Sequence, residues 1–373
     1  MDRTIFRIAT MSVVAAAYFI VAACSSSGNN STATPVPPPP APDPVTSNAY
    51  NGPGSKWDVS LNDDNTFEIT RQPDIDAAVD LTVNGTWQRN AMGFVLLTVD
   101  SASGTDAPNP GDVAWAVEAE GYALMLETEG NNFTPMIKSG ACPEADMAGN
   151  WVIVRKHEDA DATEVDGDYF GSFAFDAMTG VANLPDQHSL SDGFPATGSS
   201  GELSAGTCAD GIMEVDDAVM YLADNGGAIV HTNLSQPSET SFIFALAQKA
   251  VTSVAALDAE YAGILFDGSS AADDRISAVS IACTGGLCSG SIVDDVVAMT
   301  TSGSFSIDLF GTTNAPVSGF LTGSVADELG NTGNLACMID ENVQGSGQRL
   351  VSCVGQAPAA NQKMFNLLFA SNQ

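Results

Sequence analysis

Short apolar segments with a two-residue period, punctuated by turn residues, are the feature that most limits how this chain can fold. Trp57, Val59 and Leu61 alternate with Lys56, Asp58, Ser60 and Asn62. Asp63-Asp64-Asn65 then supplies a turn, after which Phe67 and Ile69 alternate with Glu68 and Thr70. Successive side chains of a strand point to opposite faces, so this spacing predicts a hairpin with one buried face. Gly85-Thr86-Trp87 and Gly93–Val99 read as further strands, and Ala114–Glu118 and Tyr122–Glu127 flank Glu120-Gly121 as another hairpin. Val219–Ala223 and Ala228–His231 flank Asp224-Asn225-Gly226-Gly227, whose Asn-Gly step suits a turn of positive φ.

The last third keeps this texture. Candidate strands are Tyr261–Phe266, Ile276–Cys283, Gly303–Phe310, Gly319–Val325, Leu335–Ile339, Leu350–Cys353 and Met364–Phe369. Many short strands at near-regular spacing predict an all-β protein of two or three antiparallel β-barrel or β-sandwich domains. The one stretch that reads as a helix is Ala245–Leu257, where Ala, Leu and Val recur without turn signals, and a boundary is placed there. The expected body domains are residues 49–140, 141–255 and 256–373, with no strict repeat among them.

Before the body the composition changes. Residues 25–48 are rich in Ser, Asn, Thr, Ala and Pro, with Pro37-Pro38-Pro39-Pro40 at the centre. Too few apolar groups are present to offset ordering entropy, so a disordered, Pro-rich stalk is expected, with an upper reach of roughly 70 Å at about 3.1 Å per residue. Earlier still, Arg3 and Arg7 precede an uncharged, mostly apolar run from Ile8 to Ala23. That run is slightly short for a spanning helix and reads as a secretory signal, residues 1–23.

Val21-Ala22-Ala23-Cys24 resembles the lipobox of bacterial lipoproteins. The resemblance implies a diacylglycerol on the Cys24 thiol, cleavage before Cys24 and, usually, acylation of the new amino group. Residues 24–48 then become a lipidated cysteine and linker. Two or more chains, at about 0.8 kcal/mol per buried methylene, anchor a protein stably. In Gram-negative members of this family Asp after the cysteine favours retention in the inner membrane, and Ser25 is permissive for the outer membrane. The expected location is therefore the cell envelope, with a lipid anchor in the outer membrane. In the body, Trp57, the Asn62–Thr66 turn, Gly85-Thr86-Trp87 and Gly93–Val99 resemble a lipocalin-like meander over about 90 residues.

The formal net charge is −34, and removal of residues 1–23, which contribute +1, leaves the mature chain at −35. Nucleic acid is a poor partner for such a surface, because its binding depends on Lys and Arg neutralising phosphates. Anionic headgroups also repel the body, which leaves attachment to the lipid. Cationic ligands, metal ions or a basic protein patch fit the charge, and solubility or adaptation to salty surroundings explains it too.

Besides Cys24 there are Cys142, Cys208, Cys283, Cys288, Cys337 and Cys353. An even set in an exported chain reads as disulfides, with 15 pairings open. Proximity favours Cys283–Cys288 across Thr284–Leu287; Cys337–Cys353 would join neighbouring strands, leaving Cys142–Cys208. A metal cluster is the rival, but no Cys-x-x-Cys pair or nearby His accompanies the cysteines.

Glu158, Asp159, Asp161, Glu164, Asp166 and Asp168 crowd one segment. Hard oxygen ligands at alternating positions suit calcium, with Asp159, Asp161, Asp166 and Asp168 as the candidate ligands; a solvated loop is the competing reading. No other cofactor is expected. His157, His188 and His231 each stand alone in sequence, and Gly286-Leu287-Cys288-Ser289-Gly290 mimics a nucleophile elbow with a cysteine that reads better as half of a disulfide. Asp216-Asp217 and Asp294-Asp295 read as half-exposed structural pairs.

Three functions compete. The leading one is a non-catalytic surface or periplasmic lipoprotein that binds a small molecule or protein partner through loops or a barrel mouth. A structural or adhesive envelope component is the second, and an extracellular hydrolase with a dispersed site the third. A deep apolar cavity favours the first, a filled barrel interior the second, and convergent carboxylates or a Ser/His pair the third.

Overall fold

A computed structural model describes residues 48–372 except 53–54, 74–77, 120–122, 129–131, 143, 157–168, 180, 199–200, 204, 216–217, 224–226, 233–240, 250–252, 268–274, 312–314, 344–345 and 357–363. Cys24, the stalk, His157, Asp216-Asp217, and the acidic run holding Asp159, Asp161, Asp166 and Asp168 lie outside the described residues.

The described chain is all-β, in three antiparallel sheets. The first contains β1 (Asn48–Gly52), β2 (Ser55–Leu61), β3 (Thr66–Gln72), β4 (Leu81–Arg89), β5 (Val95–Gly104), β6 (Val113–Ala119), β7 (Ala123–Thr128) and β8 (Asn132–Lys138). Each pairs with the next, and β1 returns to β8 through Tyr50↔Lys138 and Asn51↔Ile137, which closes a barrel. Closure leaves no unpaired edge along the sheet.

The second sheet contains β9 (Met147–Lys156), β10 (Tyr169–Asp176), β11 (Val181–Ser189), β12 (Ala196–Gly198), β13 (Gly201–Leu203), β14 (Ala205–Ala209), β15 (Ile212–Val215), β16 (Ala218–Leu222), β17 (Ala228–Thr232) and β18 (Ser241–Ala247). Its order is β12-β11-β10-β9-β18-β17-β16-β15-β14, with β13 beside β11, so it stays open. The third contains β19 (Ala259–Asp267), β20 (Arg275–Thr284), β21 (Leu287–Asp295), β22 (Thr300–Gly311), β23 (Phe320–Asp327), β24 (Thr332–Asp340), β25 (Leu350–Gln356) and β26 (Met364–Ser371). It is a second closed barrel, sealed by β19 against β26.

The two-residue period sorts side chains between two kinds of core. On β5, Val95, Leu97 and Val99 face the first barrel's interior beside Trp57, Val59, Phe67 and Ile69. Their neighbours Phe94 and Leu96 join Val152, Phe170 and Phe244 of the second sheet and Ile264, Phe320 and Met338 of the third. One apolar core thus lies among the outer faces of all three sheets. Polar bridges cross the same seam. Asn150 Nδ2 donates to the Ser318 carbonyl at 2.9 Å, Asn90 Nδ2 to that of Val296 at 2.8 Å, and Gln348 Nε2 to that of Glu118 at 3.1 Å. Lys249 Nζ meets the buried Asp340 carboxylate at 2.7 Å. Residues 45–373 form one compact unit.

The stretch read as a helix at Ala245–Leu257 is something else. Its start completes β18, and among the described residues only Val254–Leu257 coils, as a single 3-10 turn. Phe244 and Leu246 face the shared core, whereas Ala245 faces the second sheet's own core. A strand apolar on both faces loses its period and resembles a buried helix in composition.

Candidate functional site

The first barrel is not filled. A cavity of about 790 Å³ opens into it, walled by Trp57, Phe67, Ile69, Leu81, Val83, Leu97, Val99 and Leu126. Arg71, Asp106, Pro108, Asp112, Val113 and Ala114 complete it. The wall follows from the register: Trp57 pairs Arg71, Val59 pairs Ile69 and Leu61 pairs Phe67 across β2 and β3, and Ile69 pairs Val83 across β3 and β4. Apart from Arg71, these in-facing positions form an apolar lining. Gly85 faces Phe67 across the next pair, and a Cβ there would run into the Thr98 backbone carbonyl and stand 2.7 Å from Phe67 Cε1, so the position leaves no room for a side chain.

At the open end the chemistry turns polar. The guanidinium carbon of Arg71 lies 5.8 Å from the centre of the Trp57 ring. Arg71 Nε donates to Asp80 Oδ1 at 2.9 Å, and Nη2 to Asp80 Oδ2 at 2.8 Å. This two-point clasp fixes the guanidinium plane. The bond to Asp80 raises the Arg71 pKa and Asp106 adds to the effect, while the same bond holds Asp80 below the usual carboxylate range. Asp106 and Asp112 are exposed beside it. Asp112 accepts from the Asn109 backbone N–H at 2.7 Å, which fixes its loop.

One polar atom in the wall is unusual. Trp57 is 6 % exposed, and its Nε1 is buried with no hydrogen-bond partner. By contrast, Trp87 Nε1 donates to the Asn62 carbonyl at 2.9 Å and Trp151 Nε1 to that of Ser172 at 3.1 Å. A buried donor left unsatisfied costs about 1–3 kcal/mol.

The third barrel carries a smaller apolar recess of about 390 Å³, bounded by Leu265, Ile292, Phe305, Val325, Phe365 and Leu367. Two disulfides lie in this barrel's buried apolar cluster. Cys283 bonds Cys288 across the β20–β21 hairpin, and Cys337 bonds Cys353 between β24 and β25. Cys142, just before β9, bonds Cys208 on β14.

The other residues singled out by sequence are dispersed. His188 Nδ1 lies 3.0 Å from the Phe194 carbonyl, with its ring against Phe170, a structural setting. Asp294 accepts from Ser302 Oγ at 2.6 Å, and Asp295 from the backbone of Val297 and Ala298, so that pair closes a turn. Among the described residues no group of three or more His, Cys, Asp or Glu is placed to hold a metal. Sequence reasoning placed Trp57 on a strand but missed Arg71, Asp106 and Asp112. Their one signal is a cationic residue breaking the in-facing apolar series of β3.

No protein-family model matches this sequence, and no curated protein matches it. Among solved structures, the chain aligns with the isotype 1 transferrin binding protein B from serogroup B Neisseria meningitidis. The two are 12% identical, and the alignment covers 86% of this chain and 66% of that one, with a TM-score of 0.26.

Proposed function

We propose that this chain is a lipid-anchored envelope lipoprotein whose first barrel holds a small ligand without chemical conversion. The observation that carries the reading is the apolar cavity of about 790 Å³ in a closed barrel with a polar mouth. Its size falls within the roughly 300–1,000 Å³ typical of small-molecule sites. An adhesive or purely structural role would have no use for a hollow barrel. The anchor is read from Val21–Cys24, the outer membrane from Ser25, and the spacer from residues 25–48. The division at 49–140, 141–255 and 256–373 belongs to the same reading, with ligand binding assigned to the first part.

The test uses the body, residues 45–373, which is compact by itself. N-phenyl-1-naphthylamine, whose emission rises in apolar surroundings, should bind saturably. Val83→Phe with Leu97→Phe fills the cavity and should weaken that binding at least tenfold while circular dichroism and melting stay close to wild type. Absence of saturable binding, or binding indifferent to the filling variant, removes the reading. The anchor is tested separately: Cys24→Ala in the full precursor should abolish labelling by radioactive fatty acid.

A further inference from the structure

We infer that the first barrel's ligand is a cationic amphiphile, an ammonium-type head on an alkyl or aryl body. The body lies in the cavity and the head stays at the mouth beside Asp106 and Asp112. This rests on reading the barrel as a ligand site.

The cavity decides which way round such a molecule lies. Phe67, Ile69, Val83 and Leu97 wall it with apolar side chains, and its charged lining residues are Arg71, Asp106 and Asp112. A charged head among the apolar side chains would lose its water and gain no partner. At the open end it keeps its water, because Asp106 and Asp112 are both exposed.

The mouth then selects the sign of the head. Arg71 and Asp80 clasp one another at two points and offset each other's charge. Asp106 and Asp112 are left over. Asp112 Oδ2 accepts from the Asn109 backbone and side-chain N–H groups, neutral donors that leave its negative charge in place. Asp106 raises the Arg71 pKa beyond the effect of Asp80, so the field at the mouth favours positive charge even with the clasp made. Carboxylates at the rim of a low-dielectric cleft draw counter-ions into it. An uncharged head gains nothing from these two groups, and an anionic head is repelled. Only a cationic head is held more tightly because they are there. A bare metal ion does not fit instead: among the described residues no three ligands converge, and an ion has no body to fill an apolar cavity.

Displacement of bound N-phenyl-1-naphthylamine provides the test. Decyltrimethylammonium, decan-1-ol and decanoate share a ten-carbon chain and differ in the head. Heads differ in their own cost of leaving water, so each affinity is taken relative to that of decan-1-ol on the same protein. At pH 7.5 and low salt, Asp106→Asn with Asp112→Asn should lower the relative affinity for decyltrimethylammonium about three- to tenfold, as for two lost exposed ion pairs, and raise that for decanoate. Raising NaCl to about 0.5 M should lower the same ratio in wild type and change it little in the variant. A ratio for the cation that the variant leaves unchanged, or that salt leaves unchanged in wild type, overturns the inference while the cavity reading stands. Failure of the probe to bind at all strikes the cavity reading itself.

Discussion

Phe365 on β26 lies across Gly355 on β25, its cross-strand partner. A Cβ built on Gly355 would collide with the far edge of the Phe365 ring and stand 2.8 Å from Leu335 Cδ1. The same arrangement joins Phe173 to Gly149 and Phe305 to Gly290. Each glycine weakens its strand locally, and the phenylalanine covers the exposed backbone. Gly355→Ala should therefore cost about 1–3 kcal/mol through overpacking, since Phe365 and Leu335 are both buried. Gly330→Ala is the control. It has open space but a φ of +79°, so its cost is backbone strain alone. Urea midpoints of the two variants check the difference, and Gly355→Ala with Phe365→Leu should recover part of the loss.

The shared core makes a second prediction. Phe170 and Phe320 come from different sheets, are both fully buried, and place their ring centres 4.8 Å apart. Phe320→Ala should cost about 3–5 kcal/mol. Because the same cluster joins all three sheets, the wild-type body should unfold in one calorimetric transition, and the variant should begin to separate into two. A wild type that already melts in separate steps would mean that the shared core does not couple the sheets.

Much of this fold was legible where a strand has one wet face. Phe67 and Ile69 are buried while Glu68 is exposed, and the period announces β3 directly. On β25 every residue from Leu350 to Gln356 is buried, because the outer face meets the shared core, so its period carries no orientation. The strand β21 lacks the apolar alternation altogether. Its buried positions are Cys288, Gly290 and Val293, and two of these are small or sulfur-bearing rather than large and apolar. Barrel closure was not legible at all, since Tyr50↔Lys138 joins positions far apart in sequence. The cavity is harder still. It depends on side chains failing to meet across the barrel, and no local pattern encodes a void.

Bridge removal gives the third prediction. The closed loops span 66, 16 and 5 residues for Cys142–Cys208, Cys337–Cys353 and Cys283–Cys288. Loop-closure entropy then ranks their contributions at about 4, 3 and 2 kcal/mol. Paired Cys→Ser variants should follow that order in urea midpoint. Accessibility gives a different order for reduction. The four cysteines in the third barrel are buried, whereas Cys142 and Cys208 are half-buried. Mild reductant on the folded body should open Cys142–Cys208 first, as mass mapping of alkylated peptides would register. Earlier alkylation at Cys337 or Cys353 would contradict the sealed interior.

The clasp at the cavity mouth supplies a dependence on pH. Hydrogen bonding from Arg71 holds the Asp80 carboxyl below its ordinary value, so the folded state binds this proton less readily than the unfolded chain. A lowered carboxylate pKa stabilises the fold above the unfolded value, about 3.9, and that contribution fades as pH falls through the folded one. Total stability also changes as the other carboxylates of this acidic chain titrate, so the useful quantity is a difference. Asp80→Asn removes the ionisable group and keeps its shape. At pH 6.5 the variant should be less stable than wild type. Below about pH 4 the gap should start to narrow, and it should close as pH falls through the lower folded-state value, where wild-type Asp80 becomes neutral as well. Urea midpoints for both proteins between pH 6.5 and 2.5 provide the comparison. A gap constant over that range would mean that ionised Asp80 contributes nothing through Arg71. The same variant loosens Arg71 over Trp57, so probe binding at pH 6.5 should weaken while the third barrel's disulfides stay intact.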